Sequence, residues 1–204
     1  MNTVFIIALG NLDYKEYSLP VLKDYFTKYN INYAVCESLP DGINPKKAHP
    51  SWVGTLMYRL HPENDFMLRW GLDLLPRKNA PNIFDYIDTS KINSVVEQWE
   101  PSVYPHHRYN GDLIGFPKSE AEFLGSVYDK WAHDPKGWPS HEQYSLNYEI
   151  GENEKDVHEL PAGFNVFYNS GHSGEIYFDH YTCTISKEQK RPNIERHYNE
   201  YFSE

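Results

Sequence analysis

Asp65-Phe66-Met67-Leu68-Arg69-Trp70-Gly71-Leu72-Asp73-Leu74-Leu75-Pro76 reads as an apolar strand that runs into an acid. A carboxylate at the end of a buried strand sits at the sheet edge, half in and half out of solvent. There a divalent cation can bridge it to a diphosphate, because Mg²⁺ and Mn²⁺ take oxygen ligands of this kind. The same Asp73 would serve equally as a loop cap, since short acidic side chains satisfy local backbone donors. His106, His107, His172 and His180 follow no zinc-like spacing, and Pro105-His106-His107-Arg108 reads as an exposed loop. The 2 cysteines, Cys36 and Cys183, match neither a zinc pattern nor a secreted disulfide framework and read as reduced thiols.

An acid reaches a sheet edge only if the flanking sequence builds a sheet. Residues 4–10 are apolar and end in Gly10, which predicts a buried strand opening into Asn11-Leu12-Asp13. Leu19, Leu22, Tyr25, Phe26 and Tyr29 fall at helical spacing, with Pro20 suited to a first turn. Residues 31–38 predict a second strand, so the chain opens strand, helix, strand, a right-handed parallel crossover. Residues 39–50 are rich in turn formers. Trp52, Leu56, Met57 and Leu60 predict a helix, and residues 82–87 a short one. A strand is expected over 112–116, a turn at Pro117-Lys118, and a helix from Ser119 to about Trp131, with Ser119 and Glu122 as a capping box. Residues 138–150 predict another helix, capped by Ser140. A charged loop follows over 151–159, then strands over 164–169 and 175–181, and a polar tail that is helical or frayed. Alternating strands and helices give an α/β sheet. Ligands of such sheets bind at the carboxyl ends of the strands, so the loops after Leu9, Ser38 and Asp73 are the expected rim of a site.

The chain has 204 residues, enough for one domain with a well-buried core. Its net charge is -10 and its pI about 5.4. That balance disfavours a nucleic-acid partner overall, since binding phosphates requires cations. Mean hydropathy is -0.70, and no apolar run approaches the roughly 18 residues of a membrane span. Residues 4–9 are too short for a signal peptide, so a cytoplasmic location is expected. Aromatic residues make up 16% of the chain, with 17 Tyr and 5 Trp. Such rings stack on sugars and bases, and they also fill cores.

Several segments together resemble the GT-A glycosyltransferases, especially the family 8-like group. Gly71-Leu72-Asp73, Leu74-Leu75-Pro76 and Asn82-Ile83-Phe84-Asp85 are similar to that group's Asp-x-Asp strand and the helix after it. Tyr109-Asn110-Gly111-Asp112-Leu113-Ile114-Gly115-Phe116 is similar to its Phe-Asn-x-Gly strand. His141-Glu142-Gln143-Tyr144-Ser145-Leu146-Asn147 is similar to its Asp-Gln-x-x-Leu-Asn helix. Leu160-Pro161 through Phe164-Asn165 and Ile176-Tyr177-Phe178-Asp179-His180-Tyr181 are similar to two later steps, the second carrying a His that ligates metal in the family. The resemblance spans residues 3–187 and implies an α/β GT-A (Rossmann-like) domain, with a mixed, mostly parallel sheet flanked by helices. Residues 188–204 are then a polar C-terminal tail.

The resemblance implies a sugar moved from a nucleotide-sugar donor, UDP-linked by preference, to a glycan or other hydroxyl acceptor. Asp73 and His180 would hold Mn²⁺ or Mg²⁺ against the leaving diphosphate. Ala8, Leu9, Gly10, Asn11, Tyr14 and Leu72 would cup the base and ribose. Glu142, Gln143 and Asp112 are the catalytic candidates. A carboxylate at Glu142 would act as general base or stabilise an oxocarbenium-like state. Asn110 and Asp112 would bind sugar hydroxyls, and Lys187 would offset diphosphate charge. The sequence departs from the pattern in three places. Gly71 stands where the family has the first acid of Asp-x-Asp, Glu142 replaces the acid of Asp-Gln, and Cys183 lies near where a Gly is expected.

Two rival readings remain open. Gly71 suits a degenerate domain that binds a nucleotide sugar without turnover. A compact chain of this type also suits a virus or phage enzyme that glycosylates DNA bases, for which Lys46-Lys47 and Arg77-Lys78 are the candidate basic contacts.

Overall fold

The computed structural model describes residues 1–41, 49–97, 108–133, 142–182 and 185–203. The expectations placed on Lys46, Lys47, His106, His107, Ser140, His141 and Cys183 lie outside the described residues. Along the chain, β1 (Asn2–Ile7), α1 (Lys15–Lys28) and β2 (Asn32–Cys36) form the expected crossover. A 3₁₀ helix over Pro50–Leu56, then α2 (Met57–Leu60), lead into β3 (Phe66–Gly71) and β4 (Leu74–Pro76). A 3₁₀ turn at Ile83–Asp85, capped by Asn82, precedes β5 (Ile92–Val96) and β6 (Tyr109–Pro117). Then come α3 (Ala121–Trp131), α4 (Glu142–Glu152), β7 (Val157–Glu159), β8 (Val166–Phe167), β9 (Phe178–His180) and α5 (Lys187–Phe202).

The six-stranded sheet has the order β2-β1-β3-β6-β5-β7. Only β6 runs antiparallel to its neighbours, so the sheet is mixed and mostly parallel. A smaller sheet, β4-β9-β8, hangs from the end of β3. β1 and β3 are buried on both faces, which is why they read as unbroken apolar runs. Val4, Ile6, Phe66, Leu68 and Trp70 face one core, with Leu22 and Phe26 of α1 and Ile194 of α5. Phe5, Met67, Ile114 and Phe116 face the other, with Trp52, Met57, Leu124 and Leu146. Each such side chain contributes roughly 1.5–3 kcal/mol on burial, so β3 is pinned from both sides and its end is a rigid place for a functional group.

Some local expectations are corrected. No capping box forms at Ser119, because Lys118–Glu120 is a 3₁₀ turn started by the extended Pro117, and α3 begins at Ala121 without a side-chain cap. Residues 164–169 do not make one strand, since Phe164 closes a 3₁₀ turn and β8 holds only two residues. The charged stretch 151–159 contains β7, an edge strand paired in parallel with β5. The polar tail is α5. It carries a full capping box at Ser186 and Gln189 and buries Ile194, His197 and Tyr201.

Candidate active site

β1 and β3 are parallel and in register, with Ile7 opposite Gly71, so their carboxyl ends open on the same edge. Gly10 turns the chain away there at φ 86°, a left-handed conformation that glycine adopts without strain. After β3, Leu72 and Asp73 form a turn before β4. Trp70 clamps this turn, its indole Nε1 donating to the Leu74 carbonyl at 2.8 Å. β4 pairs antiparallel with β9, Leu74 against His180, and the Tyr181 N–H donates to the Asp73 carbonyl at 2.9 Å. The small sheet thus exists, in effect, to bring His180 to Asp73.

Three ligand-type groups meet at this edge. Oxygens of Asp73 and Asp112 and a ring nitrogen of His180 all lie within 4.8 Å of one another. His180 Nε2 is 3.3 Å from Asp112 Oδ2 and 3.8 Å from Asp73 Oδ1. The Asp73 contact is too long for a hydrogen bond and the Asp112 contact is misaligned for one, so the buried Nε2 has two ionic neighbours but no formed hydrogen bond. On the other side of the ring, Nδ1 lies 2.7 Å from Asn165 Oδ1. A proton on Nδ1 satisfies that oxygen and fixes the ring plane, leaving the Nε2 lone pair aimed at the two carboxylates. Ligand histidines are oriented in this way. Burial pushes the His180 pKa down, but Asp112 and Asp73 outweigh it, and the net shift is upward. Burial raises the Asp112 carboxyl, yet His180, Arg69 and Lys190 more than offset that and hold it well below the usual carboxylate range. Without a cation, the cluster balances its charge with protons and lysine.

That lysine is Lys190. Its Nζ lies 2.5 Å from Asp73 Oδ2 and 5.0 Å from the centre of the Tyr14 ring. Lys187, the residue expected from sequence, is exposed in the first turn of α5, and the cation that reaches the site stands three residues further on. Tyr14 is buried, and burial, with Asp73 and Asp112 beside it, pushes its hydroxyl pKa up, so it stays neutral.

The remaining expected residues divide into two groups. Leu9, Leu72, Asp73, Asp112 and Tyr14 line a cavity of about 150 Å³ together with Arg69, Gly71 and Ser51. Ala8 is buried just beneath, its N–H bound to the Cys36 carbonyl, and Asn11 is exposed on the rim. Glu142, Gln143 and Asn110 form the wall behind. Glu142 is 2% exposed and forms an ion pair with Arg69, which also lies 3.5 Å from Asp112 Oδ1. Asn110 is buried, donating to Glu97 at 2.7 Å and accepting from the Asp112 N–H at 2.9 Å. Gln143 accepts from the Gly111 N–H and donates to Glu97, both at 2.8 Å. Arg69 and Lys190 carried no functional signal in the sequence, because one lies mid-strand and the other in a polar tail.

A larger cavity of about 650 Å³ lies between the segment after β4 and α5, lined by Arg77, Lys78, Glu175 and Glu200 among others. Arg77 is tied to Asp179 by two bonds of 2.8 Å, and Lys78 donates to the Ser203 carbonyl. Both cations are thus engaged within the chain, and among the described residues the converging ligand groups lie at the smaller cavity.

Among solved structures, the chain is similar to a glycosyltransferase involved in glycosylation of the major capsid of PBCV-1, at 18% identity and TM-score 0.69, covering 95% of this chain and 99% of that one. It is similar to the galactosyltransferase LgtC in complex with donor and acceptor sugar analogues, at 12% identity and TM-score 0.66, covering 98% and 95%. A Drosophila β1,4-galactosyltransferase 7 variant, in complex with manganese, UDP-Gal and xylobiose, matches at 12% identity and TM-score 0.53 over 93% and 79%. No protein-family model matches the sequence, and no curated protein matches it significantly. The architecture is that of the GT-A glycosyltransferases. Within it, this chain places two aspartates and a histidine at the carboxyl ends of β1 and β3. No helix among the described residues is long and apolar enough to cross a membrane.

Proposed function

We propose that the protein transfers a sugar from a nucleoside-diphosphate donor, UDP-linked by preference, to a hydroxyl of a glycan or similar acceptor with the help of a divalent cation. The observation that carries this reading is the buried His180 Nε2, without a hydrogen-bond partner and facing Asp73 at the rim of a GT-A sheet. Such an atom fits a metal ligand better than a structural histidine. A bound Mn²⁺ or Mg²⁺ would stabilise the departing diphosphate as a Lewis acid. Lys190 lies close enough to add a second positive charge to the same leaving group. The nucleoside would lie along the loop from Ala8 to Tyr14, where an open groove of about 470 Å³ continues past Leu12 to Leu19. The acceptor would approach over Gln143, with the buried Asn110 bracing the wall behind it and Glu142 holding that wall through Arg69. Retention of anomeric configuration is favoured by the family 8 resemblance.

One observation supports a second reading. Lys190 already sits on Asp73 at 2.5 Å, so a lysine could replace the metal and the domain could bind nucleotide sugars without it. Thermal unfolding with UDP, UDP-glucose, UDP-galactose and GDP-sugars, with and without Mn²⁺, separates the two. Ligand at about 100 times Kd adds roughly 2.7 kcal/mol to the folded state. The transferase reading expects a Mn²⁺-dependent rise in Tm that Asp73→Asn abolishes, together with release of UDP. A rise indifferent to Mn²⁺ supports the metal-free binder. No rise with any donor refutes both.

A further inference from the structure

We propose that Asp112 is a carboxylate ligand of the cation site and that Gly71 is the vacancy it fills, so that the second acid of the site stands on β6 instead of β3. This rests on the cation site proposed above. β3 and β6 pair antiparallel with Trp70 opposite Leu113, which makes Gly71 and Asp112 the next neighbours along the ladder. A Cβ built on Gly71 would lie 2.8 Å from Asp112 Cβ, 2.9 Å from its Cγ and 3.0 Å from its Oδ1. Real side chains do not approach so closely. The two positions therefore share one side-chain volume, and a carboxylate can enter it from β3 or from β6 but not from both.

Two mismatches with the motifs quoted above fall on this volume. The position expected to be acidic is Gly71, and the Gly that closes Phe-Asn-x-Gly is Asp112. The side chain that fills the space is aimed for ligation. Its Oδ2 lies 3.3 Å from the buried His180 Nε2, which forms no hydrogen bond, and its Oδ1 lies 3.5 Å from Arg69 Nη2. Arg69 acts as a positioning residue, holding one oxygen back so that the other faces His180 and Asp73. The Asp112 backbone is fixed as well, because its N–H donates to Asn110 Oδ1. The site then offers Asp73, Asp112 and His180, two carboxylates and an imidazole, and Gly71 subtracts nothing from its charge.

The test is Mn²⁺ binding to the intact chain, followed by loss of the free-ion electron paramagnetic resonance signal, with Tm measured on every variant. Asp112→Asn keeps the shape and removes the charge. It should weaken Mn²⁺ binding at least about tenfold. The exchange Gly71→Asp with Asp112→Gly returns the acid to β3 and should restore binding to near the wild-type level, whereas Gly71→Asp alone should lower Tm by forcing two side chains into one volume. Wild-type Mn²⁺ affinity in a folded Asp112→Asn protein, with Asp73→Asn impaired, would overturn this assignment and leave the proposed function standing. Failure of the wild-type protein to bind Mn²⁺ would overturn the cation site itself. Failure of the exchange to rescue, in a protein of normal Tm, would also overturn the shared-volume argument.

Discussion

Replacing Glu142 by Gln tests what that carboxylate is for. Arg69 and Glu142 have side chains only 6% and 3% exposed and form an ion pair behind the candidate site. Among the described residues, Arg69 Nε and Glu142 Oε2 have no hydrogen-bond partner, so the pair relies on its mutual charge. Without Glu142, Arg69 keeps only the looser contact to Asp112 at 3.5 Å, and breaking a buried pair of this kind costs about 3–5 kcal/mol. Unfolding entropy of about 2.1 cal/mol/K per residue gives roughly 430 cal/mol/K for a chain of this length, so each kcal/mol moves Tm by about 2.3 °C. Glu142→Gln should therefore lower Tm by roughly 7–12 °C. Arg69→Met should fall in the same range. The double variant, with no charge left to desolvate, should lose much less than the sum. Differential scanning calorimetry of the four proteins closes the cycle. A Glu142→Gln protein with Tm within about 2 °C of wild type, but without turnover, would refute this reasoning and return Glu142 to the role of general base.

Two further outcomes follow from the same geometry. Lys190→Met frees the Asp73 carboxylate and removes a charge from the diphosphate's path, so Mn²⁺ affinity should rise and UDP affinity should fall, each about tenfold for one charged hydrogen bond. Calorimetric titration of both ligands measures this, and two changes of the same sign would contradict it. His197 is held between the Tyr181 hydroxyl and the Pro76 carbonyl, with Asp179, Arg77 and Glu200 as its charged neighbours. Burial lowers its pKa, and the partners that raise it do not fully compensate. The unfolded chain, with a His pKa of about 6.5, then binds this proton more readily. Stability should fall as pH drops below about 6.5, and the difference in unfolding free energy between wild type and His197→Gln should narrow over that window. A difference independent of pH between 5 and 7 would show that His197 does not titrate on unfolding.

The half of the fold that is local was legible in the sequence. β1 and β3 announce themselves because both faces are buried, and Asp73 because an acid closes an apolar run. The other half depends on what pairs with what. β5 carries buried Asn93 and Ser94, whose side chains serve the Asp88 carbonyl and the β6 backbone, so it lacks an apolar pattern. β7 lies at the sheet edge, with only partial burial to mark it. The same limit applied at the site. His180 stands out in the sequence by its motif, but its nearness to Asp112 follows from two sheets meeting, and the Gly71–Asp112 volume follows from a register that no single strand encodes. α5 buries only Ile194, His197 and Tyr201 in 16 residues, too thin an apolar stripe to distinguish a docked helix from a solvated tail, and Lys190 was hidden with it.

The sequence distance between Asp73 and Lys190 is 117 residues. At about 5–20 residues per second, a ribosome delivers the lysine roughly 6 to 23 seconds after the aspartate. β1, β2 and β3 emerge early and can pair, but the acids at their edge then wait for both a histidine and a lysine that are synthesised late. α5 brings the Lys190 charge to Asp73 and at the same time covers the apolar face over α1. One helix thus supplies both the counter-charge of the site and part of the core, so its packing and the charge balance at Asp73 are coupled.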